Sequence, residues 1–109
     1  MIDILQVTTT VSSKEEAERI GHTVVQERLA ACAQIQGPVA SHYWWQDRIE
    51  QAAEWYCHLK TTAERYPALE ARLRALHSYA IPEIIAVPIS RGGSDYAAWV
   101  ADMVRSTSP

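Results

Sequence analysis

Residues 2–9 (IDILQVTT) are dense in aliphatic and β-branched side chains and predict a buried strand. Ser12 and Ser13 follow, with Glu15 and Glu16 three positions after each, the spacing of a capping box that opens a helix. Ala17, Ile20, Gly21, Val24 and Leu29 then recur at helical spacing, with Glu18, Arg19, Gln26 and Arg28 mostly on the other side. Glu15 and Arg19 stand at i,i+4 in the favourable order for an ion pair.

Residues 31–36 begin a second strand, which Gly37-Pro38 bends or bulges before it resumes through residues 39–45. Gln46-Asp47-Arg48 reads as a short connection. Over residues 53–61 the alternation is clean: Trp55, Cys57 and Leu59 point one way, and Tyr56, His58 and Lys60 the other. The pair reads as one long hairpin. Thr61 with Glu64 is another capping-box spacing, Pro67 suits a first helical turn, and Tyr66, Leu69, Leu73 and Leu76 form an apolar stripe beside a Glu70–Arg74 pair. Pro82 pushes Ile81 toward extended backbone and ends that helix. Residues 84–87 predict a short buried strand, Gly92-Gly93-Ser94 a loop and cap, and Tyr96, Trp99, Val100 and Met103 one side of a last helix.

The predicted order is β-α-β-β-α-β plus a C-terminal helix. That is an α+β fold of the ferredoxin-like, split βαβ kind with an antiparallel sheet. The first two helices would cover one sheet face and leave the other open. A lone subunit showing that face is prone to aggregate, so an oligomer is expected.

Composition adjusts this picture modestly. A chain of 109 residues suits one domain, and 48% apolar with 21% charged residues is ordinary for a globular fold. The net charge of −3 offers no attraction to phosphate backbones, so no nucleic acid is expected as partner. No apolar run is long enough to span a bilayer, and Met1-Ile2-Asp3-Ile4-Leu5 has no basic leader, so the cytoplasm is the expected address. Cys32 and Cys57 are too few for a disulfide framework. Three of the four tryptophans fall between Trp44 and Trp55, more large rings than one small interior holds, which points to a subunit interface.

Several segments together resemble the CutA divalent-cation tolerance family. They are Glu27-Arg28-Leu29-Ala30-Ala31-Cys32-Ala33-Gln34-Ile35, Ser41-His42-Tyr43-Trp44-Trp45, Lys60-Thr61, His77-Ser78-Tyr79-Ala80-Ile81-Pro82-Glu83-Ile84, and Tyr96 through Trp99. They run in order over nearly the whole chain, so 1–109 is expected to be a single domain of that kind. The resemblance implies a homotrimer whose hairpins pair across subunits. It also implies a part in divalent-metal tolerance, copper above all, and no agreed catalytic activity. The chain departs from the family pattern at Ser78 (usually proline), Asp47 (often glycine), Thr9 (a metal-associated cysteine in some members) and Leu76 (one of two adjacent histidines in some).

Each candidate residue has a plain reading beside its chemical one. Cys32 offers a thiolate of the type that suits Cu(I), yet free cysteines are mostly small buried hydrophobes. Cys57 alternates with Trp55 and Leu59 and reads as core. His77 matches the family histidine, and imidazole suits Cu(II), but a helix C-terminus also favours histidine without metal, and one ligand is not a site. Trp45, Lys60, Tyr79 and Glu83 are expected near the end of the sheet, as a small-ligand pocket between subunits or as an interface ion pair with aromatic packing. His42 and His58 fall on the hairpin, and His22 on the first helix. No nucleophile motif or phosphate loop stands out, so no enzyme is expected. Two rivals to the metal-tolerance trimer stay open. One is a signalling or interaction trimer, like the PII-type proteins, with a ligand between subunits. The other is a cofactor-free enzyme on a dimeric ferredoxin-like fold.

Overall fold

The computed structural model describes residues 3–105. In chain order the elements are β1 (Ile4–Val11), α1 (Lys14–Gln26), β2 (Cys32–Trp45), β3 (Arg48–Thr62), α2 (Tyr66–Leu76), β4 (Ile84–Pro88) and α3 (Ser94–Met103). The four strands form one antiparallel sheet in the order β2-β3-β1-β4. This is the α+β, split βαβ arrangement that the hydrophobic pattern predicts.

One sheet face carries the core. Val7 and Val11 of β1 and Cys57 and Leu59 of β3 are fully buried against Ala17, Ile20 and Val24 of α1 and Leu69 and Leu73 of α2. Each buried Val or Leu contributes roughly 1.5–3 kcal/mol over leaving it in water. Gly21 permits the close approach of α1 to β2, since a Cβ there would stand 2.8 Å from that of Ala33. The other face is covered only at one end, where Val100 and Val104 bury Ile4 and Ala31. Thus α3 sits opposite the first two helices.

Beyond Trp55 the sheet narrows. β1 ends at Val11, paired with Trp55, so the rest of the hairpin, from Val39 to Ala53, has no third strand beside it. This two-stranded arm stretches the molecule to 46 × 29 × 22 Å. At its root the register slips between Gln36 and Val39, as the Gly-Pro signal predicts; the Gly37–Pro38 peptide there is cis.

Local expectations needed correction at five places. The hairpin loop is two residues, Gln46 and Asp47, because Trp45 pairs with Arg48. Both loop residues have positive φ (51° and 64°), which the right-handed strand twist demands of so short a turn. Thr61 does not cap α2: it lies buried in β3 and donates to the Leu29 carbonyl at 2.8 Å, while Thr62 Oγ1 accepts from Arg65 N at 3.2 Å. Among the described residues Glu15 and Arg19 form no ion pair, whereas Glu70–Arg74 does at 3.2 Å. β4 is not buried in the single chain, for Ile85 and Val87 are half exposed on the second face. On α3 only Val100 is buried, with Tyr96 and Trp99 left outside as a ring pair 5.7 Å apart.

Candidate functional site

A cluster of polar side chains lies where β1 gives way to α1. Ser13 caps α1 by accepting from Glu16 N at 3.1 Å, as the Ser-x-x-Glu spacing predicts. The Glu16 carboxylate does not fold back to complete the box. It is buried, and it accepts from Ser12 Oγ at 3.3 Å and from Ser78 N at 3.2 Å. The loop after α2 is thereby tied to the start of α1.

In that loop His77 is the C-cap of α2, with extended backbone. Its Nε2 lies 2.9 Å from the Thr10 carbonyl oxygen, and its Nδ1 accepts from Tyr79 N at 3.1 Å. A carbonyl only accepts, so Nε2 carries the proton and the ring is the neutral tautomer. Both nitrogens are occupied. An ion at Nδ1 would have to displace the Tyr79 amide. The Tyr79 ring lies 4.9 Å from that of His77, and its hydroxyl donates to Glu54 Oε2 at 2.7 Å. Glu54 is only 8% exposed. Burial, then the Glu54 hydrogen bond and charge, push the Tyr79 phenol well above the ordinary tyrosine range.

Cys32 stands elsewhere. It pairs with Lys60 at the start of β2, and its Sγ lies 3.5 Å from the Tyr96 hydroxyl of α3. That contact and burial push the Tyr96 phenol up to about 12. Thr10, which His77 holds, pairs with Tyr56, four residues along β3 from Lys60. The two candidate metal donors are therefore about 13 Å apart along the strand and cannot share one ion within a chain. Among the described residues no three His, Cys, Asp or Glu side chains gather where they could hold a metal ion. Cys57 is buried in the core, and burial pushes its thiol up to about 11.

The four residues of the second candidate set do not meet within one chain. Trp45 is at the tip of the arm, roughly 40 Å along β3 from the position of Lys60. Lys60 Nζ donates to Gln34 Oε1 at 3.0 Å, so Glu83, which is exposed, is not its partner. Tyr79 alone of the four joins a buried network. Glu16 and Glu54 are the residues that sequence reasoning missed. Glu16 read as a cap, and strand alternation grouped Glu54 with the open-face side chains Tyr56, His58 and Lys60.

Comparison with known proteins places this geometry in context. The family model for CutA1 divalent ion tolerance protein matches residues 5–103. A divalent-cation tolerance protein CutA from Thermus thermophilus is 41% identical over 96 residues, covering 88% of this chain and 93% of its own length. The solved structure of CutA1 from Oryza sativa is 33% identical, with a TM-score of 0.93 and 97% of each chain covered. That of CutA from Archaeoglobus fulgidus is 36% identical, with a TM-score of 0.90, covering 94% of this chain and 99% of its own. The archaeal protein is described as periplasmic and curated plant relatives as chloroplastic, so the expected cytoplasmic address does not follow from the similarity. Among the described residues no helix is long and apolar enough to cross a membrane.

Proposed function

The chain belongs to the CutA1 divalent ion tolerance family, and on that premise we propose that it works in metal homeostasis as a homotrimer, not as an enzyme. The observation that carries this reading is the arm. Tyr43, Trp44, Trp45 and Ile49 are 42–71% exposed on a ribbon with no third strand. Two-stranded ribbons are marginal alone, and apolar groups in such number call for a covering surface. β2 and β4 also leave their outer edges unpaired in the sheet. Sister chains would satisfy both needs.

On this reading metal contact is weak and draws donors from more than one chain, with copper the first ion to test and Cys32 and His77 the first donors. The expected compartment is the cytoplasm. Light scattering on micromolar protein should give close to three times the 12.2 kDa of one chain. Titration of that species with Cu(II), and with Cu(I) under reducing conditions, should show binding that Cys32→Ser or His77→Asn weakens. No binding above buffer competition removes the metal half of the proposal. A stable lone subunit removes the trimer.

A second reading, a signalling or interaction trimer with a small ligand between subunits, has one observation in its favour. Trp45 and Glu83 are exposed, and Lys60 pairs with a neutral amide rather than a carboxylate. These three are available to a site completed by neighbours, while the Tyr79 hydroxyl is already held by Glu54. Calorimetry with nucleotides separates the two readings: heat that Lys60→Gln abolishes favours the second.

A further inference from the structure

β3 loses its inner neighbour at one residue. Trp55 pairs with Val11, the last residue of β1, and Glu54, next along β3, has only Val39 of β2 beside it. Glu54 is therefore the first residue of the arm on that strand. Opposite it, between Gln36 and Val39, β2 carries its register slip, and such irregularities bend a strand. A two-stranded ribbon that leaves a sheet at a bulge has little in its own ladder to fix its direction.

Glu54 is held from outside the sheet. It is buried, and its Oε2 accepts from the Tyr79 hydroxyl at 2.7 Å, a short bond to a charged acceptor. Tyr79 belongs to the connection between α2 and β4, and that connection is pinned twice to the core. His77 Nε2 donates to the Thr10 carbonyl oxygen of β1 at 2.9 Å, and Ser78 N donates to the Glu16 carboxylate of α1 at 3.2 Å. Tyr79 N in turn donates to His77 Nδ1 at 3.1 Å, with the two rings 4.9 Å apart. The phenol is thus a stiff rod between core and arm. Its side chain has few torsions to lose, and hydrogen bonds fix the backbone at its foot. It grips β3 at the first residue past the end of β1.

We propose that Tyr79 is the positioning residue of the arm: by holding Glu54 it fixes the direction in which β2 and β3 project from the sheet, and so presents the arm ready-set to sister chains. The lever is long. From Glu54 to Arg48 the arm runs about 20 Å, so a swing of about 10° at the root carries the tip about 3–4 Å. Preformed interfaces typically shift by no more than about 1 Å on association. An arm already held in place spares its partners the cost of ordering it. The benefit to assembly rests on the homotrimer reading; the tether itself lies within one chain.

The test reads direction, which a merely stabilising contact would not set. Residual dipolar couplings of the arm amides, residues 39–45 and 48–53, are compared with those of α1 and α2 in weakly aligned protein. Trp44→Ser with Trp45→Ser is the background, so that sister chains do not hold the arm. With Tyr79 in place both sets should fit one alignment tensor. Adding Tyr79→Phe should shrink the arm couplings or move them off that tensor, while α1 and α2 keep theirs. Glu54→Gln leaves an oxygen for the phenol and should keep the common tensor. Arm couplings unchanged by Tyr79→Phe overturn the proposal, as do arm couplings already averaged with Tyr79 in place. Should Tyr79→Phe not fold, Glu54→Ala cuts the same bond from the arm side without stranding a carboxylate, and its couplings decide. With both tryptophans present, Tyr79→Phe should also speed subunit exchange between isotope-labelled and unlabelled protein severalfold, read by native mass spectrometry. An exchange rate equal to the parent's overturns the part that concerns sister chains. A parent that is itself a lone subunit ends the homotrimer reading and leaves the couplings to decide the tether.

Discussion

Single residues show where this fold carries avoidable cost. Thr9 is fully buried and its Oγ1 has no hydrogen-bond partner. Its neighbours across the ladder are Cys57 and Ile84, neither of which offers a good acceptor. Thr9→Val keeps the shape and removes the stranded hydroxyl, so urea denaturation should show a gain of about 1 kcal/mol. Tyr79 is the opposite case. Tyr79→Phe strips the buried Glu54 carboxylate of its donor and should cost about 1–3 kcal/mol. The folded phenol titrates above its unfolded value near 10. Its contribution is complete below about pH 10 and disappears as pH rises through the folded value, so stability of the parent should fall steeply there and that of Tyr79→Phe less so. Neither network was legible in the sequence. Glu16 could be seen to cap a helix, but not to reach Ser78, 62 residues away.

Among the elements, the hairpin decides most. Its loop holds Gln46 and Asp47 in left-handed backbone, where a Cβ costs roughly 1–2 kcal/mol per residue. Asp47→Gly should raise the thermal midpoint by relieving one of them, unless the turn changes type, which NMR shifts at Trp45 and Arg48 would show. Gly37 is constrained from the other direction. A Cβ there would meet the Trp55 ring at 2.5 Å and the Glu54 carbonyl oxygen at 3.0 Å. Gly37→Ala should therefore cost about 1–3 kcal/mol and loosen the root of the arm, read as lost Trp55 protection in fluorescence quenching. The bulge was legible because Gly-Pro is a strong local signal. The exposure of β4 was not, since Ile84-Ile85-Ala86-Val87 reads the same whether one face is covered or both.

At the scale of the molecule, the proposed trimer makes the exposed arm one half of a surface that sister chains complete. Removing the large groups of the arm, as in Trp44→Ser with Trp45→Ser, should leave the core on α1 and α2 folded while the mass falls toward that of one chain. Retained circular dichroism with unchanged mass would show that the arm is not where sister chains meet. The rings lie far from Val7, Leu59 and Leu73, so the two outcomes are separable.

Element order, the split βαβ plan and the packing of the first two helices on one face of an antiparallel sheet were all determined by local pattern. Apolar periodicity of two or of three to four residues, with proline and capping spacings between, leaves one economical way to bury the stripes. Only the folded chain decided which polar groups meet. Cys32 and His77 were drawn apart, and Glu16, Glu54, His77 and Tyr79 brought together, because strand register sets distances that sequence separation does not encode. The burial of a carboxylate likewise follows from which loop folds over it, a property of the assembled layers and not of the alternation on its own strand.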